Sequence, residues 1–133
     1  MTEPGPSVPV RGRILVADDE PHIRRILVTL LESAGYEVEQ VETGTQAMDR
    51  LTGPGDYQAA LLDIMMPGYT GLEILQRTRQ LPNRQSLPIV ILTAKGQDAD
   101  RQEALGFGAD AFVTKPFSPK KLIAQIHELL SRP

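Results

Sequence analysis

Asp18, Asp19 and Glu20 stand in a row after a short apolar run, Ile14-Leu15-Val16-Ala17. Asp63 ends a second run, Tyr57 to Leu62, Thr93 ends a third, Pro88 to Leu92, and Lys115 follows a fourth, Ala111 to Val113. Acids that end apolar runs can be brought together in a fold, and that has a cost. Two carboxylates about 4 Å apart repel by roughly 4 kcal/mol at an effective dielectric of 20. A close cluster therefore needs a cation or shared protons. The donors here are oxygens, with no His or Cys beside them, so the expected ion is a hard one, Mg2+ before Ca2+. The same residue types suit phosphoryl chemistry. A carboxylate such as Asp63 can act as nucleophile and form an acyl phosphate. Charge then gathers on the phosphoryl oxygens, which need cations and donors around them. Lys115 offers an ammonium, Thr93 a hydroxyl, and Ala94 and the loop after Asp63 offer main-chain N–H groups.

These residues need elements to carry them to one place. Ile14 to Ala17 has the length of a buried strand. Ile23, Ile26, Leu27, Leu30 and Leu31 recur at helical spacing between Pro21 and Ala34, and Gly35 stops that helix. Tyr36 to Val41 alternates like a strand, and Thr43 can cap a helix that runs to about Leu51, before Gly53-Pro54-Gly55. Strands follow at Tyr57 to Leu62, Pro88 to Leu92 and Ala111 to Val113. Helices are expected over Gly71 to Gln80, over Asp98 to about Phe107, and after Ser118, where Leu122, Ile123, Ile126, Leu129 and Leu130 line one side. Five strand-helix units in alternation mean a parallel sheet with helices on both faces, an α/β fold. The acids, Thr93 and Lys115 then all lie at carboxyl ends of strands, the edge where open parallel sheets bind ligands. If the strand order is 2-1-3-4-5, the first and third strands are neighbours, and Asp18, Asp19 and Asp63 share one crevice.

Composition narrows the function classes. The chain has 133 residues, enough for one domain with a real core. A net charge of -3 gives no field that would draw it onto nucleic acid or membrane. There is no cysteine, which rules out disulfide and thiolate chemistry and suits a cytoplasmic location. Residues 1–12 hold Pro4, Pro6 and Pro9 without an apolar run, and they read as a disordered tail rather than a secretory signal.

Four segments in register carry a family resemblance. Ile14-Leu15-Val16-Ala17-Asp18-Asp19-Glu20-Pro21, Leu61-Leu62-Asp63-Ile64-Met65-Met66-Pro67-Gly68, Ile91-Leu92-Thr93-Ala94 and Thr114-Lys115-Pro116-Phe117 together resemble bacterial response-regulator receiver domains. The resemblance covers residues 13–131. It implies a doubly wound, flavodoxin-like (βα)5 three-layer sandwich with strand order 2-1-3-4-5. It implies a two-component phosphorelay domain that takes a phosphoryl group onto Asp63 from a histidine kinase or a histidine phosphotransfer protein. Mg2+ would be bound by Asp19, Asp63 and the Met65 carbonyl, with Asp18 assisting through water. Lys115 and the Ala94 amide would hold the phosphoryl oxygens, Thr93 and Phe112 would form a switch pair in which Phe112 turns inward, and the Lys115–Pro116 bond would be cis. Output would pass through the face of the fourth helix, fifth strand and fifth helix to a downstream protein or a fused domain. The resemblance leaves room for a phosphorylation-linked dimer. Such a domain phosphorylates and dephosphorylates itself, and it is not a turnover enzyme.

Each residue also has a plainer reading. A lone Asp18 or Asp19 could cap the first helix, a lone Thr93 a turn, and a lone Lys115 could be a surface lysine. Phe112 could be core, His22 and His127 are expected to face solvent, and Lys120-Lys121 to be a solvated helix start. Gly106-Phe107-Gly108-Ala109-Asp110-Ala111 fits a relaxed dinucleotide fingerprint but sits between a helix and a strand, the wrong order. A haloacid-dehalogenase-type phosphatase would want an acid where Met65 stands. A flavin site would want a Ser/Thr/Gly-rich loop where Asp18-Asp19-Glu20 stands, and a nucleoside-triphosphate loop ending in Gly-Lys-Ser/Thr is absent. A receiver-like interaction module without phosphorylation remains the main rival. Two positions depart from common receiver patterns: Phe112 replaces Tyr or His, and Thr70 replaces an acid of the chemotaxis member; Met65 and Lys95 flank the acceptor at positions that vary among receivers. Neither Met65 nor Lys95 offers an acceptor to attacking water, which predicts slow self-dephosphorylation. The residues leave both a stand-alone regulator and a receiver within a longer chain open.

Overall fold

The computed structural model describes residues 12–94 and 98–131. Five strands, β1 (Arg13–Ala17), β2 (Glu37–Val41), β3 (Ala59–Asp63), β4 (Ile89–Thr93) and β5 (Ala111–Thr114), alternate with five helices. The helices are α1 (Pro21–Ser33), α2 (Gly44–Thr52), α3 (Gly71–Thr78), α4 (Asp98–Gly106) and α5 (Pro119–Ser131). All strand pairs are parallel, in the order β2-β1-β3-β4-β5. This is the doubly wound order that the resemblance implies.

Alternate side chains of each central strand enter two separate cores, because successive residues point to opposite faces. Leu15, Ala17, Ala60, Leu62, Ile89, Ile91 and Phe112 face one layer, with Ala47 and Leu51 of α2, Ile74 and Leu75 of α3, and Ala104 of α4. Ile14, Val16, Ala59, Leu61, Val90 and Leu92 face the other, with Leu27 and Leu31 of α1 and Leu122, Ile126 and Leu129 of α5. Burial on both faces explains why β3 and β4 read as unbroken apolar runs. Each such Leu or Ile contributes about 1.5–3 kcal/mol of transfer free energy. α4 is held more lightly: its Ala104 is buried, while Leu105 is 47% exposed.

Local chemistry sets the element ends. The Thr43 hydroxyl accepts from Gln46 N–H at 3.1 Å, and Ser118 Oγ accepts from Lys121 N–H at 3.3 Å. Thr70 and Glu73 form a reciprocal capping box at the start of α3. The β3 strand starts at Ala59 rather than Tyr57. Tyr57 is withdrawn from the ladder: its hydroxyl donates to Glu39, and its ring lies 5.2 Å below the Arg84 guanidinium. α3 stops at Thr78, two residues before the expected end, and Arg79 leaves the helix to bond the Leu87 and Gly108 carbonyls and Asp110. His22 is exposed, but His127 does not face solvent as expected. Its Nδ1 lies 2.6 Å from the buried Tyr36 hydroxyl, tying α5 to the start of β2.

Candidate functional site

The carboxyl ends of β1, β3, β4 and β5 meet along one edge of the sheet. Ala17 is opposite Leu62, Asp63 opposite Leu92, and Thr93 opposite Thr114. That register brings the residue after β1 and the last residue of β3 side by side. Asp18, Asp63 and Thr93 are the polar residues of this edge that are buried. A Cβ on Gly71 would run into the Asp63 carbonyl, so only glycine lets α3 start this close to β3. Gly71 N–H donates to Ile64 O at 2.9 Å, and Gly44 N–H donates to Pro67 O at 2.9 Å. The loop after Asp63 is thereby held at both sides.

Lys115 reaches back into the acids. Its Nζ lies 2.9 Å from Asp18 Oδ2, 3.0 Å from Glu20 Oε1 and 3.4 Å from Asp63 Oδ2. The peptide bond that follows it, Lys115–Pro116, is cis. Asp18, Glu20 and Asp63 each place a carboxylate oxygen within 4.8 Å of the others. Three carboxylates against one ammonium leave a formal charge of -2 in this cluster. Burial, and next the Asp18 charge, push the Asp63 carboxyl up to about 6, although Lys115 pulls it down. Burial works against the Lys115 ammonium, but its ion pairs with Asp18 and Glu20 outweigh this and hold its pKa above the ordinary lysine range.

The cluster fits a hard divalent cation. Its donors are oxygens, its charge is in excess, and one buried oxygen is left over. Asp18 Oδ2 touches Lys115 Nζ as an ion pair without hydrogen-bond alignment, and it accepts no hydrogen bond. Desolvated anionic oxygens in that state favour a cation.

The expected residues fall into four groups. Asp18, Asp63, Thr93 and Lys115 come together at this edge. Asp19 is exposed and outside the close trio, though its charge still raises the Asp63 pKa. Met65 lies on the rim, 71% exposed, next to buried Met66, and Ala94 is exposed just past β4. Lys95 lies outside the described residues. Phe112 is already inward, 8% exposed and packed in the core of the α2–α4 layer, with the Arg101 guanidinium 6.0 Å over its ring. The expected inward turn has little distance left to cover, because a ring without a polar tip gains nothing by reaching solvent. Glu20 is named in the acidic run of the sequence but given no role there. Its signal was only its place after two acids, and its contact to Lys115 spans 95 positions.

Comparison with known proteins decides the family. Residues 14–127 match the response regulator receiver domain. The chain belongs to that family. The receiver is 39% identical over 120 residues to the transcriptional regulatory protein ResD of Bacillus subtilis, covering 90% of this chain and 48% of that protein. It is 38% identical over 120 residues to the phosphate regulon transcriptional regulatory protein PhoB of Escherichia coli, covering 90% and 52%. The receiver thus spans about half the length of these curated relatives. A crystal structure of a response regulator from Chloroflexus aurantiacus superposes with a TM-score of 0.86 at 30% identity, over 91% of this chain and 98% of that one. The receiver domain of a sensor histidine kinase from Pseudomonas aeruginosa, solved with a magnesium ion in its active-site cleft, gives 0.84 at 28% identity, over 91% and 98%. Members of the family are signalling domains of two-component systems. Among the described residues, no helix of the receiver is long and apolar enough to cross a membrane.

Proposed function

We propose that the receiver accepts a phosphoryl group on Asp63 from a phosphohistidine of a kinase or phosphotransfer protein, in the cytoplasm. The observation that supports this most directly is the burial of Asp63 beside Asp18 with the Lys115 ammonium 3.4 Å from its Oδ2. An Asp63 oxygen attacks phosphorus, the P–N bond to the donor imidazole breaks, and the imidazole leaves with the bonding pair. Lys115 Nζ holds a phosphoryl oxygen, and the Thr93 hydroxyl and the Ala94 N–H donate to others. Asp18, Asp19, Asp63 and the Met65 carbonyl are the groups that would hold Mg2+. When bound, the ion would offset the charge of the acids and of the phosphoryl oxygens. A magnesium ion in the cleft of the Pseudomonas relative supports the same assignment here.

A module that had lost the chemistry would gain nothing from this arrangement. Burying carboxylates around one lysine costs free energy, and apolar replacements are often neutral or better. The experiment is labelling by a small acyl phosphate, acetyl phosphate, read by intact mass. The wild type should gain one phosphoryl group in Mg2+ and none in EDTA, and Asp63→Asn should gain none in either. Equal labelling in EDTA, or a labelled Asp63→Asn protein, contradicts the proposal.

A further inference from the structure

Arg24 stands four residues beyond Glu20, on the first turns of α1, and touches neither Asp63 nor Lys115 in any hydrogen bond or ion pair. It reaches the acidic loop from behind. Its Nη1 donates to the Asp18 carbonyl at 2.8 Å. The side chain is mostly buried, with 15% of its surface exposed, and is fixed at its other edge. Nε donates to Gln40 Oε1 at 3.1 Å, and Nη2 lies 3.6 Å from Glu42 Oε2. Arg24 therefore clamps the loop after β1 to the end of β2.

The clamp matters because it grips the main chain of this loop, whereas Lys115 grips only its carboxylates. Glu20, at the N-cap of α1, makes no side-chain capping bond. Asp18 N–H donates to Val41 O at 3.2 Å, and Asp18 Oδ1 accepts from Glu20 N–H at 2.9 Å. With the carbonyl held by Arg24, the position and tilt of Asp18 are set, and Oδ2 is left facing Lys115 at 2.9 Å.

We propose that Arg24 is the positioning residue of the acidic loop and sets the affinity of the cluster for a divalent cation. The proposal rests on the cation reading of that cluster. Two effects of the guanidinium oppose each other. Its charge repels a second cation, and its hydrogen bond pre-orients the ligand loop. The repulsion is blunted, because Glu42 lies beside the guanidinium and the contact to Asp18 is to the carbonyl rather than the carboxylate. Partners one shell out from a metal commonly alter affinity by about 10–100-fold. Pre-orientation is therefore the larger effect.

The test uses the whole chain and Mg2+ alone. Dissociation constants come from amide NMR titration, and stability from thermal melts in EDTA. Arg24→Ala should weaken Mg2+ binding by about tenfold or more and should move the Asp18 to Glu20 amides in EDTA. Arg24→Lys, which keeps a charge and a donor, should recover most of the affinity. Arg79→Ala removes a comparable clasp between the Leu87 and Gly108 carbonyls and Asp110, remote from the acids. It should lower the melting temperature without changing Mg2+ affinity. If Arg24→Ala does not fold, Arg24→Gln replaces it with the same expected direction. Unchanged or tighter Mg2+ binding in Arg24→Ala, or in Arg24→Gln where it replaces it, overturns the proposal. A wild type that does not bind Mg2+ fails at the first titration, and it then removes the cation reading itself.

Discussion

Asp63 is unstable by design of its surroundings, and that can be measured. Burial and the Asp18 charge push its folded carboxyl up to about 6, against 3.8 for a free aspartate side chain. Between these values the folded state holds a proton that the unfolded state has lost. Stability from this group therefore rises as pH falls from about 7 toward 4, and it is lowest at neutral pH. Asp63→Asn keeps the shape and removes the charge, so it should stabilise the metal-free protein at pH 7 by about 1–3 kcal/mol, given 1.36 kcal/mol per pKa unit. The gain should shrink toward zero near pH 4. Urea unfolding in EDTA at the two pH values checks this, and a variant less stable than wild type at pH 7 contradicts it. Asp18, Asp63, Thr93 and Lys115 were legible in the sequence because each ends or follows an apolar run, and a parallel sheet collects such positions on one edge. Glu20 and Arg24 were not. An acid next to a helix start and an arginine on a helix are ordinary surface choices, and their partners lie across the chain.

Among the elements, α4 and β5 are neighbours that are held differently. Phe112 of β5 is locked in the core while α4, beside it, buries Ala104 and leaves Leu105 half exposed. Arg101 lies over Phe112 on the outer side. A phosphoryl group on Asp63 adds nearly two negative charges beside Thr93 at the end of β4. Because Phe112 is already inward, the response should appear as a shift of α4 rather than as a large rotation of the ring. Beryllofluoride, an acyl-phosphate mimic, should move amides of residues 101–114 strongly and those of α5 beyond Ile126 weakly. Changes confined to the loops after β1 and β3 would exclude this route. Apolar spacing and helix-cap residues mark the helices, which is why α1 lies within a residue of its expected ends and α5 starts just after Ser118. Arg79 and Tyr57 moved two boundaries, since each leaves its element to bond another part of the chain.

In the whole molecule, chemistry and stability are placed at opposite edges of the sheet. The acids and Lys115 occupy the carboxyl edge. The amino edge carries Arg84, which is 5% exposed and has no carboxylate partner among the described residues. Its guanidinium bonds the Leu51, Gly53 and Gly55 carbonyls and lies over the Tyr57 ring. It therefore closes the C-terminal end of α2, where carbonyls lack intrahelical partners and the helix dipole is negative. A buried cation is costly in general. Here the three carbonyls offset that cost, and they would themselves be left unsatisfied if the guanidinium were removed. Hydrogen bonds to charged groups contribute about 1.5–3 kcal/mol each, and they are not additive. Arg84→Met, similar in length and apolar, should lower unfolding free energy by about 2–4 kcal/mol. It should leave Mg2+ affinity and the rate of Asp63 labelling within twofold of wild type, because no hydrogen bond or ion pair joins Arg84 to the acids. Urea unfolding paired with acetyl phosphate labelling separates the two properties. A variant that unfolds like wild type, or that labels more than tenfold slower while still folded at the assay temperature, would show that the two edges are not independent.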